Sequence, residues 1–215
     1  MSGSLRPGDF VRLEKIADEL GVSATPVREG LHALRGEGFL TFEPRRGFVV
    51  APLSPSDIQD LYLVQANIAG ELAARAAIAA TPATVAGLRE LQAELDQATC
   101  DGRAEDVLEL NWQIHREINR LAGSPKLSFL LSVAVRYVPQ PFFATIEGWV
   151  SAAVHDHAHV FDAIERNDPA AARSAMEKHI LHAGDVIRAM SWLTITLRWI
   201  SLVPSPTIIS GASRK

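Results

Sequence analysis

Asn111 and His115 stand four residues apart in a stretch with helical periodicity, so both side chains leave one helix face and reach a common object. His157 and His179 lie in two later helical stretches. A divalent metal inside a helical bundle takes imidazoles and an oxygen donor converging from different helices, and a four-residue pair plus two single histidines supplies that set. Taken alone, any one of these histidines is more often a surface or core residue satisfied by hydrogen bonds than a metal ligand. The other histidines of this part are His155, His159 and His182. On helical geometry His155 and His159 lie together, about 160–200° round from His157, toward solvent or a partner.

The elements that must position these residues follow from the breaks in the sequence. After Pro55 alanine- and leucine-rich segments are interrupted at Thr81-Pro82, Asp101-Gly102, Gly123-Ser-Pro125, Gly148 and Asn167-Asp-Pro169. The reading is six antiparallel helices and no strand, over 55–79, 83–99, 104–121, 125–147, 151–166 and 169–190, the fourth kinked by Pro139 and Pro141. Residues 53–196 carry 11 basic and 18 acidic side chains, which suits a sensor or assembly domain and disfavours DNA contact.

The first 52 residues have a different pattern. Leu13, Ile16, Ala17 and Leu20 repeat on one helical face and Gly21 supplies a left-handed stop. A second helix follows at once: Ser23 or Thr25 caps it, Pro26 suits its first turn, and Glu29 lies near its positive end. Val27, Leu31 and Leu34 face inward, leaving Thr25, Arg28, His32 and Arg35 outward. The runs Phe39–Phe42 and Phe48–Val50, joined by Glu43-Pro-Arg-Arg-Gly47, read as a hairpin with a basic tip. Two helices at a tight turn plus this hairpin make a winged helix-turn-helix, its second helix suited to the major groove and its wing to the phosphate backbone. The segment is neutral, seven basic against seven acidic residues, so a positive field comes from Arg28, Arg35, Arg45 and Arg46 locally. Two heads on one palindromic operator would recover affinity, which predicts a homodimer.

Leu5-Arg-Pro-Gly8, Gly21-Val-Ser-Ala-Thr-Pro-Val-Arg-Glu29 and Pro44-Arg-Arg-Gly47 resemble the GntR transcriptional regulators over residues 5 to 50. The resemblance implies that Ser23, Thr25 and Arg28 approach double-stranded DNA, with Gly47 at the wing tip. Ala24 stands where that family often has arginine, and Gly30 where alanine is usual, a loss of roughly 1 kcal/mol in helix propensity. Members carry a helix before the Leu-x-Pro-Gly turn, where this sequence offers Met1-Ser-Gly-Ser4, so the head is expected to be short of its first helix.

Asn111-x-x-x-His115, then His157-Ala-His-Val-Phe-Asp-Ala-Ile164, Asp168 and Met176-Glu-Lys-His179 resemble the FCD ligand-binding domain of the FadR-like GntR branch, over residues 55 to 190. The resemblance implies that Asn111, His115, His157 and His179 hold zinc or nickel, beside a small organic acid. Asn111 replaces the commoner aspartate and removes a negative charge, which predicts a weaker, more exchangeable ion. The arginine usual in the first helix is Gln65, which lacks the bidentate grip on a carboxylate. Ser124 replaces the usual asparagine after Ala-Gly, and Arg116 or Arg136 is placed to substitute as the effector's anion partner.

The fold expected is therefore mainly α: a winged helix-turn-helix in 1–52, a helical FCD-type bundle in 55–190, and an atypical apolar tail in 191–215. One cysteine excludes an internal disulfide, and no leader or membrane-length apolar span is present, which predicts a cytoplasmic chain. The function expected is a ligand-responsive repressor of a metabolic operon. Its rivals are a metal-dependent hydrolase-like enzyme using the three histidines, and a dimerising relative unable to grip DNA. Against the enzyme, Glu117 sits two residues from His115 and faces elsewhere.

Overall fold

Pro55, Pro82, Pro125 and Pro169 open four of the eight described helices, so the helical bundle follows the breaks in the sequence closely. The structure, a computed structural model, describes residues 7–137 and 149–188, with side chains described over 7–137 and 156–187. The chain divides into two compact units, with the boundary between Leu53 and Ser54.

The first unit holds α1 (Leu13–Leu20), α2 (Ala24–Gly36), β1 (Leu40–Glu43) and β2 (Gly47–Val50). Gly21 caps α1 at φ 65°, the left-handed conformation that a side chain would strain. Ser23 takes the N-cap backbone conformation of α2 without a side-chain bond, and Thr25 lies inside the helix. Glu29 falls beyond the first turn, where the helix dipole acts little on it. The strands pair antiparallel, Leu40 with Val50 through Glu43 with Gly47. Residues 8–11 run beside β2, through Gly8 N–H to Val50 O, Val50 N–H to Asp9 O and Val11 N–H to Phe48 O. The core is Val11, Ala17, Val27, Leu31, Leu40 and Phe48. Leu20, expected inward, is 63% exposed, because it is the last residue of α1 and reaches past the contact with α2.

The second unit contains α3 (Pro55–Ala79), α4 (Pro82–Cys100), α5 (Ala104–Leu121), α6 (Pro125–Val135), α7 (Trp149–Glu165) and α8 (Pro169–Arg188). Ser54 and Asp57 form a reciprocal capping box on α3, and Thr81 with Thr84 does the same on α4. Asp168 accepts the Ala171 N–H at the start of α8. α3 packs against α5, α6, α7 and α8, and α4 against α5 and α7. The fourth helix, expected to 147, ends at Val135. Pro139, Pro141, the Gly148 break, the side chain of His155 and the tail 191–215 lie outside the described residues. Tight packing of α3 on α8 uses Gly184, where an added Cβ would stand 2.6 Å from Tyr62 Cγ.

Candidate metal centre and nucleic-acid interface

Apolar stripes turn the histidines inward. On α7 the residues His157, Val160, Phe161 and Ile164 are fully buried at helical spacing, so His157 occupies a core position. His179 continues the buried stripe of α8 after Ala172 and Met176. On α5, Val107, Ile114 and Ile118 point to the core, with Asn111 and His115 half-buried beside them.

The three rings meet in pairs, with centroids 4.7–5.3 Å apart. One nitrogen from each of His115, His157 and His179 lies within 4.8 Å of the others. His115 Nε2 and His179 Nε2 face each other at 3.1 Å. Ligands of a tetrahedral ion at about 2.1 Å stand roughly 3.4 Å apart, which this pair approaches. His157 Nε2, His179 Nδ1 and Asn111 Oδ1 are buried without a hydrogen-bond partner among the described residues. An unpaired buried ring nitrogen such as His157 Nε2 and an unpaired amide oxygen such as Asn111 Oδ1 are costly, and a cation bound to them would relieve them. His179 Nδ1, across the ring from the nitrogen that faces His115, is instead turned toward Asp156. Three imidazoles and an amide oxygen therefore fit a borderline divalent metal.

Electrostatics keeps the rings ready to ligate. Burial, and to a lesser degree the neighbouring His179, pushes the His115 pKa down to about 3. Burial and the neighbouring rings push His157 well below its ordinary value too. Both are neutral at physiological pH, the state a metal requires. Asp156 accepts a 2.9 Å bond from His182 and lies 3.8 Å from His179 Nδ1. Contact with these rings holds its carboxyl down at about 2.

The remaining candidates of the bundle are dispersed. Gln65 is buried, and its Nε2 donates to Ala134 O at 3.2 Å, joining α3 to α6. Ser124 starts α6 and accepts a 3.3 Å bond from Arg75. Arg136 is exposed at the end of α6. Arg116 is exposed on an open groove between α4 and α5 with Thr84, Gln113 and Glu117, and none of the other three lines that groove. His159 and His182 are exposed. Sequence reading missed Gln92 and Asp156. Asp156 had a signal in its position next to His157; Gln92 comes from α4 and had none beyond an i,i+4 pair with Asp96.

In the first unit, Ser23, Thr25, Arg28 and Arg35 are all exposed on α2. Since Ser23 makes no capping bond, its hydroxyl and the helix N-terminus remain open to an anion. Arg28 and Arg35 have no ion-pair partner among the described residues. His32 is exposed, but its ring meets Phe48 edge-on at 5.0 Å and so fastens α2 to the wing. At the wing tip Arg46 N–H bonds to Glu43 O, closing a turn with Pro44 second and Arg45 third, the latter at φ 69°. Glycine or asparagine is usual there, so Arg45, whose side chain is exposed, carries a backbone cost of about 1 kcal/mol. Arg46 pairs with Glu43 at 2.9 Å and lies over Phe10. Gly47 follows at φ 85°.

A winged helix-turn-helix joined to an all-helical bundle is an architecture of DNA-binding transcriptional regulators. A profile described as bacterial regulatory proteins, gntR family, matches residues 1–50, and one described as FCD domain matches residues 60–182. The chain belongs to the GntR family of transcriptional regulators, in the FadR-like branch with an FCD domain. The Nta operon transcriptional regulator of Aminobacter aminovorans is 29% identical over 194 residues, 87% of this chain and 90% of the relative. An uncharacterised HTH-type regulator of Mycobacterium tuberculosis is 27% identical over 175 residues, 81% of this chain and 70% of its own. The solved structure of McbR/YncC from Escherichia coli superposes with a TM-score of 0.66 at 24% identity, covering 86% of this chain and 89% of that one, and agrees in fold. This family and these relatives are transcriptional regulators, so the hydrolase reading is set aside.

Proposed function

We propose that the protein is a homodimeric, ligand-responsive repressor of a metabolic operon, in which a small organic acid binding at or beside a metal in the helical domain changes operator affinity. The observation that carries this reading is the convergence of His115, His157 and His179, with His157 Nε2 and Asn111 Oδ1 buried and unpaired among the described residues. Asn111, His115, His157 and His179 would hold the ion, zinc or nickel by donor type. When bound, it supplies a Lewis-acid anchor for a carboxylate oxygen.

The chain's own residues do the rest. His115, His157 and His179 stand on α5, α7 and α8, so a ligand drawn to their common point biases the packing of three helices. An effector shifts DNA affinity only by its differential affinity for two arrangements, typically about 1–3 kcal/mol. Thr25, Arg28 and Arg35 on α2 address the major groove, while Arg45, Arg46 and Gly47 present the wing to the backbone. Gln65, Arg116, Ser124 and Arg136 remain the candidates for effector contact, Gln65 by hydrogen bonding rather than by ion pairing.

The test is fluorescence anisotropy on DNA from upstream of the protein's own gene, with random competitor, at two salt concentrations. Site-selective, salt-sensitive binding is expected. Uniformly weak binding would favour a relative that dimerises without gripping DNA.

A further inference from the structure

The geometry points to Gln92 as a positioning residue for the candidate metal centre: it fixes His157 in the tautomer whose Nε2 lone pair faces the other two imidazoles. This rests on the metal reading above. Gln92 is half-buried on α4, a helix that contributes no ligand. Its Oε1 stands 3.0 Å from His157 Nδ1. Its Nε2 donates to Asp96 Oδ1 at 2.8 Å, one turn further on. The carboxylate of Asp96 accepts only, so the amide NH2 turns to Asp96 and the amide oxygen to the ring. An oxygen acceptor at Nδ1 requires the proton there, which leaves Nε2 as a bare lone pair.

That Nε2 is buried with no hydrogen-bond partner among the described residues, and it belongs to a ring lying against both His115 and His179. Neutral imidazole has two tautomers, and only one of them ligates through Nε2. A hydrogen bond to the distal nitrogen selects that tautomer, orients the ring and raises its basicity. The approach of α4 is itself secured one turn earlier. Arg89 reaches Asp162 at 2.5 Å and Glu165 at 3.0 Å on α7, and lies over Phe161. Arg89, Gln92 and Asp96 thus share one face of α4, turned to the helix that carries His157.

Three proteins test this: the unaltered chain, Gln92→Met, which keeps the side-chain length without an acceptor, and Gln92→Glu, which restores an oxygen. Long-range 1H–15N correlation spectra of the chelator-stripped proteins read the His157 tautomer. Competition with a chromophoric zinc chelator reads affinity, and circular dichroism checks the fold. The expected result is a proton on Nδ1 in the unaltered chain and a mixed tautomer in Gln92→Met. Zinc affinity should fall by about 10–100-fold in Gln92→Met and return in Gln92→Glu. An unchanged tautomer together with unchanged zinc affinity in Gln92→Met overturns the role of Gln92. Failure of the unaltered chain to take up zinc or nickel overturns the metal reading instead, and the positioning role with it.

Discussion

Lowering the pH should destabilise the metal-free protein through His115, and the size follows from its burial. The ring's pKa is depressed from 6.5 to about 3, first by desolvation and then by His179. Above pH 6.5 the imidazole is neutral both folded and unfolded, so it contributes nothing to pH dependence. Below pH 6.5 the unfolded chain takes up a proton that the folded one refuses until about pH 3, so stability falls with falling pH across that window. Each unit there costs about 1.4 kcal/mol, so the two units from pH 6.5 to 4.5 remove about 2.7 kcal/mol for this residue. His157 acts in the same direction, since burial depresses it as well. Asp156, held down near 2 from 3.8 by His179 and His182, adds stability that is lost only below about pH 4, outside this window. Urea unfolding in EDTA, followed by the helical circular-dichroism signal at pH 7.5, 6.5, 5.5 and 4.5, measures the loss. In His115→Leu, which keeps the site filled without a titrating group, the curve should be shallower by about 2.7 kcal/mol at pH 4.5. Parallel curves for the two proteins would mean that His115 is solvated and protonates freely, which would undo the argument for a desolvated cluster.

Four further outcomes are expected. Arg28→Ala should weaken operator binding by about 1–3 kcal/mol in anisotropy titrations while metal content stays the same; an unchanged isotherm removes Arg28 from the interface. Arg45→Gly should gain about 1 kcal/mol in unfolding of the head by relieving the positive φ. The same variant should reduce the salt slope of DNA binding by about 1, and a loss of stability would refute the strained turn. Gly30→Ala on α2 meets open space and should stabilise by about 1 kcal/mol through helix propensity. Gly184→Ala, crowding Tyr62, should instead cost about 1–3 kcal/mol despite the same propensity gain, as thermal unfolding will read.

The helix starts were legible because their signals are local. Pro55, Pro82, Pro125 and Pro169 stand at the first turns, and Gly21 ends α1 as its type requires. The gathering of His115, His157 and His179 was suggested by the Asn111–His115 spacing and specified by resemblance to FCD domains; their positions on inward stripes are consistent with it, yet spacing alone does not distinguish a ligand from a core histidine. The end of α6 at Val135 departs from expectation because Pro139, three residues beyond the cap Arg136, is a stop signal and not the expected kink. Other features depended on contacts that sequence patterns do not encode. His32 was read as free on the recognition helix, whereas the edge of its ring is taken by Phe48 from the wing. Gln92 is a polar residue on an ordinary amphipathic helix, and only the tertiary approach of α4 to α7 gives it a role.

The most direct test of the whole account joins its two halves. Operator affinity is measured by anisotropy for the metal-loaded and chelator-stripped protein, beside His157→Ala, with ion content determined on the same samples. The account predicts one ion per chain in the loaded protein and a shift in operator affinity of about 5–150-fold on stripping. His157→Ala should hold less metal and behave like the stripped form. Undiminished metal in His157→Ala, or identical isotherms for loaded and stripped protein, would contradict it.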